Sequence, residues 1–323
     1  MVENLEVYES IKRWLTKLEA KSRSMDFSKS QTKRAALYWL KVYCKFLETN
    51  PDTLIRERTQ NLQNTSQIVK RAHEEHVEAF IIHMRNQGSA PNTISTATGL
   101  IRSFYKASYV PLEGVTTVRS YNIRAFKVPT VQNIKKMCAI AELPIKTWIL
   151  CQKDSGLGNI DLLSLSSSNL SSEFGTIKTQ LRKGIVPIHV EIRRQKTGER
   201  THSFFGPNAI EALKEYLGDG NGRIFRMSMR SIQQKVKALG IQAHVATKDV
   251  PITSYSLRKH FNTYMKLAGI NEALVELMMG HSIGKVRSSY LVTGHGDVGQ
   301  GIPTSKLAEI YMQAYPTIDI TQA

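Results

Sequence analysis

Over the first hundred positions, apolar residues return every three to four places, the period of a helix with one buried face. From Leu5 to Leu18 the stripe is Leu5, Ile11, Trp14, Leu15 and Leu18, with lysine and glutamate between them. From Ser30 to Leu47 it is Ala36, Leu37, Leu40, Val42, Tyr43, Phe46 and Leu47. Asn50-Pro51 is expected to end this second helix, because a residue before proline avoids helical dihedrals. The polar stretch from Glu57 to Ser66 reads as a loop. A third helix is predicted over Lys70 to Asn86, with Val77, Phe80, Ile81 and Met84 inward and Gly88 as its stop. A fourth opens near Pro91 and carries Ile94, Leu100, Ile101 and Phe104. Residues 1–111 therefore read as a four-helix bundle.

The period is lost in LEGVTTVRSYNIRAFKV, residues 112–128, which reads as a linker. Residues 129–323 form a second domain. Pro129-Thr130 opens a helix (VQNIKKMCAIAEL) that Leu143-Pro144 closes. Another around Ile145 to Lys153 runs into the turn DSGLGN, followed by a short apolar helix, IDLLSL. Between Thr176 and Phe205 the period changes to two. VPIHVEIRR and RTHSFF alternate around the turn KTGE, which predicts a β-hairpin or small antiparallel sheet. Helices return from Pro207, and a short one near Lys306 to Met312 precedes a polar tail. The fold class is mainly α, with an α+β second domain.

Composition narrows the partner. Lysine and arginine total 44 against 27 acidic residues in 323, a net charge of +17 and a pI near 9.8, with 41% hydrophobic residues. Such a surplus suits a polyanion, since each phosphate contact releases condensed counterions. An anionic membrane or an acidic protein would exploit it too. No apolar run reaches 18 residues, and MVENLEVYESIKRW lacks the basic-then-apolar order of a signal peptide. Cys44, Cys138 and Cys151 lack metal-ligand spacing and read as reduced, partly buried thiols of a cytoplasmic protein. GLGNID has no third glycine, and GHSIGK is one residue short of a phosphate-binding loop. No His-Glu-x-x-His occurs, so neither a metal nor a nucleotide cofactor is expected.

The last third holds the chemistry. Arg258 in SLRKHF precedes His281 of MMGHS by 23 residues, and His281 precedes Tyr290 of VRSSYL by nine. This order and spacing resemble the tyrosine recombinase/integrase family, which cuts and rejoins DNA through a phosphotyrosine. SLRKHF and KTGERTHSFFG look more like its archaeal members than its bacterial ones. Such chemistry needs a nucleophile in line with phosphorus, cations on the non-bridging oxygens and a proton for the leaving 5′-oxygen. By the resemblance Tyr290 is the nucleophile, while Arg258 and His281 hold the phosphate. Lys196, in the hairpin turn, is the general acid. Tyr255 stands three residues before Arg258, where the family usually has histidine or lysine.

DSGLGNIDLLSL resembles the segment where the family reads Gly-Leu-Arg, two residues, an acid and leucine. Gly156, Leu157, Asp161 and Leu162 fit, but Gly158 stands at the arginine. Three explanations are open: another cation (Lys153, Arg193 or Arg194) fills the space, cleavage is poor, or the glycine is an engineered change.

In the first domain, SAPNTISTATGLIRSFYKA resembles the last helix of the family's core-binding bundle. Asn92 and Thr93 lie in its first turn, where free N–H groups favour phosphate. Arg102 and Lys106 share a face, and Lys29, Lys33, Arg34 and Lys41 offer a second basic face. The resemblance thus implies a SAM-like DNA-binding bundle and a mostly helical catalytic domain with a small antiparallel sheet. It implies double-stranded DNA as partner, a homotetramer on paired sites, a Holliday junction, no cofactor, no membrane, and a cytoplasmic, nucleoid-associated protein. Two alternatives share these residues: a DNA-binding protein whose cleavage Gly158 impairs, and an enzyme like the type IB topoisomerases.

Overall fold

The computed structural model describes residues 4–22, 26–119, 125–171, 174–194, 198, 200–217, 222–281 and 302–322. The chain divides into two compact units, Met1–Arg124 and Ala125–Ala323.

In the first unit, the described helices are α1 (Glu9–Lys21), α2 (Gln31–Phe46), α3 (Pro51–Leu62), the single turn α4 (Gln67–Lys70), α5 (Ala72–Asn86) and α6 (Pro91–Ala107). Six described α-helices stand where the hydrophobic pattern predicts four. Asn50-Pro51 opens a helix instead of merely closing one. The Asn50 side chain accepts from the Thr53 N–H at 3.0 Å, and Pro51 takes a first-turn position where its missing N–H costs nothing. The stretch after Glu57, expected to be a loop, stays helical as far as Leu62. Its polarity misleads because the inward face of α3 carries a charge. Arg58 is buried and pairs with Glu74 of α5 at 2.6 Å. Arg58 also donates to the Pro111 carbonyl at 2.9 Å, and the Glu113 N–H donates to Glu74 at 3.0 Å. Trp14, Tyr43, Phe80, Phe104 and Tyr105 centre the core, which Val110, Leu112, Val115 and Val118 join.

In the second unit, the Thr130 hydroxyl and Asn133 side chain cap each other's backbone N–H to start α7 (Val131–Ile140). Then come α8 (Leu143–Ser155) and α9 (Asn159–Ser164), the two-residue pair β1 (Leu170–Ser171) and β2 (Gly175–Thr176), and α10 (Ile177–Arg182). The alternating segments form β3 (Ile188–Arg193) and β4 (Arg200–Phe205), antiparallel, with Ile188 opposite Phe205 and Arg193 opposite Arg200. After them run α11 (Pro207–Leu217), α12 (Met229–Gln242), α13 (Ser254–Leu267), α14 (Glu272–Met278) and α15 (Thr304–Ala314).

Helix α8 is the hub, packing on α7, α11, α12, α13 and β4. Every residue from Thr147 to Ser155 is buried, polar ones included. The hairpin is likewise covered, by α10 along β3 and by α8, α14 and α15 along β4.

Gly156 ends α8 at φ +60°, and a Cβ there would enter the ring of Phe261 on α13. Gly156→Ala therefore combines left-handed strain with overpacking. Its expected cost is about 3 kcal/mol, read by urea denaturation against the parent; a change under about 1 kcal/mol would contradict this packing.

The three cysteines are buried and unpaired, and burial pushes the thiols of Cys44 and Cys138 up to about 12. Among the described residues, no helix is long and apolar enough to cross a membrane.

Candidate active site

Helix α13 starts from a second reciprocal cap. The Thr253 hydroxyl accepts from the Ser256 N–H at 3.1 Å, and the Ser256 hydroxyl accepts from the Thr253 N–H at 3.0 Å. This rigid first turn aims Arg258 inward, where it is only 5% exposed. Its Nη1 donates to the Gly156 carbonyl at 2.5 Å, past the end of α8. Its Nη2 donates to the Met279 carbonyl at 3.0 Å, past the end of α14, and meets His281 Nε2 at 2.5 Å. Carbonyls at helix C-termini carry partial negative charge and suit a cation. Among the described residues no carboxylate hydrogen-bonds to this guanidinium. Burial, and then the nearby charge of Arg194, push its pKa down to about 10, so it remains charged at neutral pH.

His281 is placed by Gly280, which follows α14 at φ +70°. A Cβ on Gly280 would lie 2.5 Å from Thr201 Oγ1 and 2.7 Å from Arg194 Cδ, so only glycine lets strand β4 and Arg194 approach this closely. The His281 N–H donates to the Glu276 carbonyl at 2.8 Å, and its Nδ1 hydrogen-bonds the Glu276 carboxylate. That pairing gives Nδ1 the hydrogen and leaves Nε2 to accept from Arg258. Glu276 also accepts from Asn262 at 3.0 Å and Lys266 at 3.2 Å. Burial pushes the Glu276 carboxyl upward, but the hydrogen bonds from His281, Asn262 and Lys266 outweigh it and hold the group below its ordinary value.

A second guanidinium enters from the hairpin. Arg194, directly after β3, donates through Nε to Asp161 Oδ2 at 3.1 Å and through Nη1 to the Gly280 carbonyl. A Cβ built on Gly158 would lie 3.0 Å from Asp161 Oδ2, 3.7 Å from Arg194 Nη2 and 3.8 Å from Arg258 Nη1. The other two cations named for this space are elsewhere. Lys153 is fully buried against Asp154, Asn208 and the Ile318 carbonyl. Arg193 is exposed at the end of β3.

Arg258 and His281 are thus in contact, with Arg194 and Asp161 beside them. Tyr255 lies one turn before Arg258 on α13 and is 56% exposed, with the Lys259 ammonium 5.6 Å from its ring centroid. Lys196 and Tyr290 lie outside the described residues. In the first unit, Asn92 and Thr93 occupy the first turn of α6, while Arg102 and Lys106 are exposed one turn apart along it. Arg34 is exposed on α2, and Lys33 pairs with Glu6 at 2.9 Å. Glu276 escaped the sequence reading. Its only sequence signal is a position five residues before His281, the spacing across a helix end that folds back on itself.

No family model matches the chain. It is similar to a tyrosine recombinase XerD of Halalkalibacterium halodurans, 23% identical over 236 residues, covering 63% of this chain and 71% of the relative. Its fold is similar to XerH site-specific recombinase bound to difH substrate in a pre-cleavage complex, with 15% identity, 89% and 91% of the two chains covered, and a TM-score of 0.53. It is also similar to a lambda integrase tetramer bound to a Holliday junction, with 14% identity, 78% and 76% covered, and a TM-score of 0.51. In sequence the chain is similar to tyrosine recombinases, and in fold to the recombinase and integrase structures just named.

Proposed function

We infer that this protein is a site-specific DNA recombinase that breaks and rejoins strands through a covalent phosphotyrosine. The observation that carries this reading is the buried guanidinium of Arg258, bonded to His281 and hydrogen-bonded to no carboxylate among the described residues. A buried cation compensated only by carbonyls and an imidazole is built to receive an anion. The net charge of +17 makes duplex DNA the anion at hand.

In the proposed reaction the Tyr290 phenol gives up its proton to water and its oxygen bonds to phosphorus. The bond from phosphorus to the 5′-oxygen breaks, and Lys196 supplies the proton that leaves as part of the 5′-hydroxyl. Arg258, steadied by His281, holds the non-bridging oxygens, and Tyr255 hydrogen-bonds from the rim. Attack by a second 5′-hydroxyl reverses the steps and releases the tyrosine, so the bond energy is conserved without a nucleotide or metal. Asn92, Thr93, Lys33, Arg34, Arg102 and Lys106 of the first unit grip the duplex backbone, contacts that position without reading bases. Four protomers on paired sites exchange strands through a Holliday junction, the assembly seen in the lambda integrase structure.

The test begins by selecting the bound site from random duplexes. A nicked suicide substrate carrying that site should then trap the protein as a covalent adduct on a denaturing gel. Tyr290→Phe should reduce the adduct below detection while leaving duplex affinity within about threefold, since one hydroxyl adds little to a grip of many phosphate contacts. An adduct that persists in this variant rules out Tyr290 as nucleophile. No adduct with the parent protein would leave a DNA-binding protein without cleavage.

A further inference from the structure

We propose that Arg194, delivered from the end of β3, supplies the second guanidinium of the phosphate site in the space that Gly158 leaves open. The proposal rests on the function proposed above and deepens it by naming how the phosphate is held.

Three observations lead there. First, a single point, the Cβ position of Gly158, lies within 4 Å of guanidinium nitrogens from both Arg194 and Arg258. Those two residues are 64 positions apart in sequence and arrive from a hairpin and a helix. Two like charges, each mostly withdrawn from solvent, repel strongly unless an anion joins them. Among the described residues, Asp161 is the carboxylate that hydrogen-bonds to this pair, through Arg194 Nε. The pair therefore keeps a net positive charge suited to a phosphodiester with two non-bridging oxygens.

Second, Arg194 is held in place. Asp161 takes its Nε hydrogen and the Gly280 carbonyl takes one from Nη1, which turns Nη2 toward Gly158. An arginine anchored through two of its three nitrogens needs little further ordering to bind. Third, the same Gly280 that accepts from Arg194 sets the position of His281, so the three side chains are fixed by one short segment. Gly158 is then not a missing cation. A side chain there would reach into space that Arg194 already approaches, and would sit against Asp161 Oδ2 at 3.0 Å.

The experiment relocates the arginine. Single-turnover adduct formation on the nicked substrate is measured for the full-length parent, Arg194→Ala, Gly158→Arg and the double variant. Arg194→Ala should slow the adduct by about 10²–10³-fold, the cost of removing one pre-positioned donor from a charged transition state. Gly158→Arg alone should bring no gain. The double variant should regain at least about tenfold over Arg194→Ala, because the new arginine grows from a point beside the same site. Three results would each overturn the proposal: Arg194→Ala within threefold of the parent, a faster Gly158→Arg, or a double variant no faster than Arg194→Ala. Duplex affinity against salt gives a readout free of the chemistry. Loss of one phosphate contact lowers the slope of log affinity on log salt by about 1, and the double variant should restore it. If the parent makes no adduct, the enzymatic reading fails and this slope alone decides. An unchanged slope in Arg194→Ala refutes the site.

Discussion

Arg258→Ala is expected to slow covalent adduct formation by on the order of 10³-fold, with duplex affinity falling by less than about tenfold. The size of the effect follows from what the guanidinium joins. It bridges the carbonyls of Gly156 and Met279 and the imidazole of His281, so its removal costs the proposed phosphate ligand and also the tie between the ends of α8 and α14. His281 would keep Glu276 on Nδ1 but lose its partner on Nε2. Affinity should suffer less, because many exposed basic residues share the phosphate backbone. Arg258→Lys separates chemistry from architecture. An ammonium keeps the charge but cannot point at three acceptors in one plane, so a loss of about 10²-fold is expected with little change in melting temperature. Should Arg258→Ala cleave within tenfold of the parent while folded, Arg258 would not be a phosphate ligand.

What the sequence disclosed of this site depended on how each residue reaches it. Arg258 and His281 lie in short motifs whose local structure, a capped helix start and a glycine-terminated helix end, places them almost by itself. Their contact could therefore be anticipated from the order of the motifs. Arg194 could be named only as one of three cations, because its position depends on the register of β3 with β4 and on a carbonyl 86 residues away. Lys153 looked as eligible as Arg194 until its burial beside Asp154 was known. The N-terminal helices were legible where an apolar stripe marked one face. Helix α3 was not, because its inward face is closed by the Arg58–Glu74 ion pair, and a charged core position looks like solvent exposure in a sequence. Helix α10 was likewise hidden, just ahead of the first alternating segment, where only six residues turn and too little period accumulates to detect.

The second large effect concerns stability, and it should be unequal for two neighbouring residues. Asp154→Ala is expected to destabilise the second unit by about 3–5 kcal/mol, and Lys153→Met by clearly less. Both side chains are fully buried in α8 and paired with each other. Asp154 accepts from the N–H groups of Gly206 and Ala209, each at 3.1 Å, and from the Tyr315 hydroxyl. Lys153 donates to Asn208 Oδ1 at 3.0 Å and to the Ile318 carbonyl at 2.7 Å. Without Asp154, an ammonium stays buried without its paired carboxylate and three donors lose their acceptor. Without Lys153, the remaining carboxyl can take up a proton. Burial already pushes its pKa upward, with Lys153 opposing only in part, and the neutral acid still bonds both N–H groups. The network also fastens α15 and the residues after it to the hub helix, through Tyr315, Ile318 and the bond from Asn208 to Asp319. Urea denaturation gives the two free energies, and hydrogen exchange should show residues 302–322 losing protection first in Asp154→Ala. Equal costs for the two variants, or an Asp154→Ala penalty below about 1 kcal/mol, would mean that the C-terminal segment is held by its apolar contacts alone.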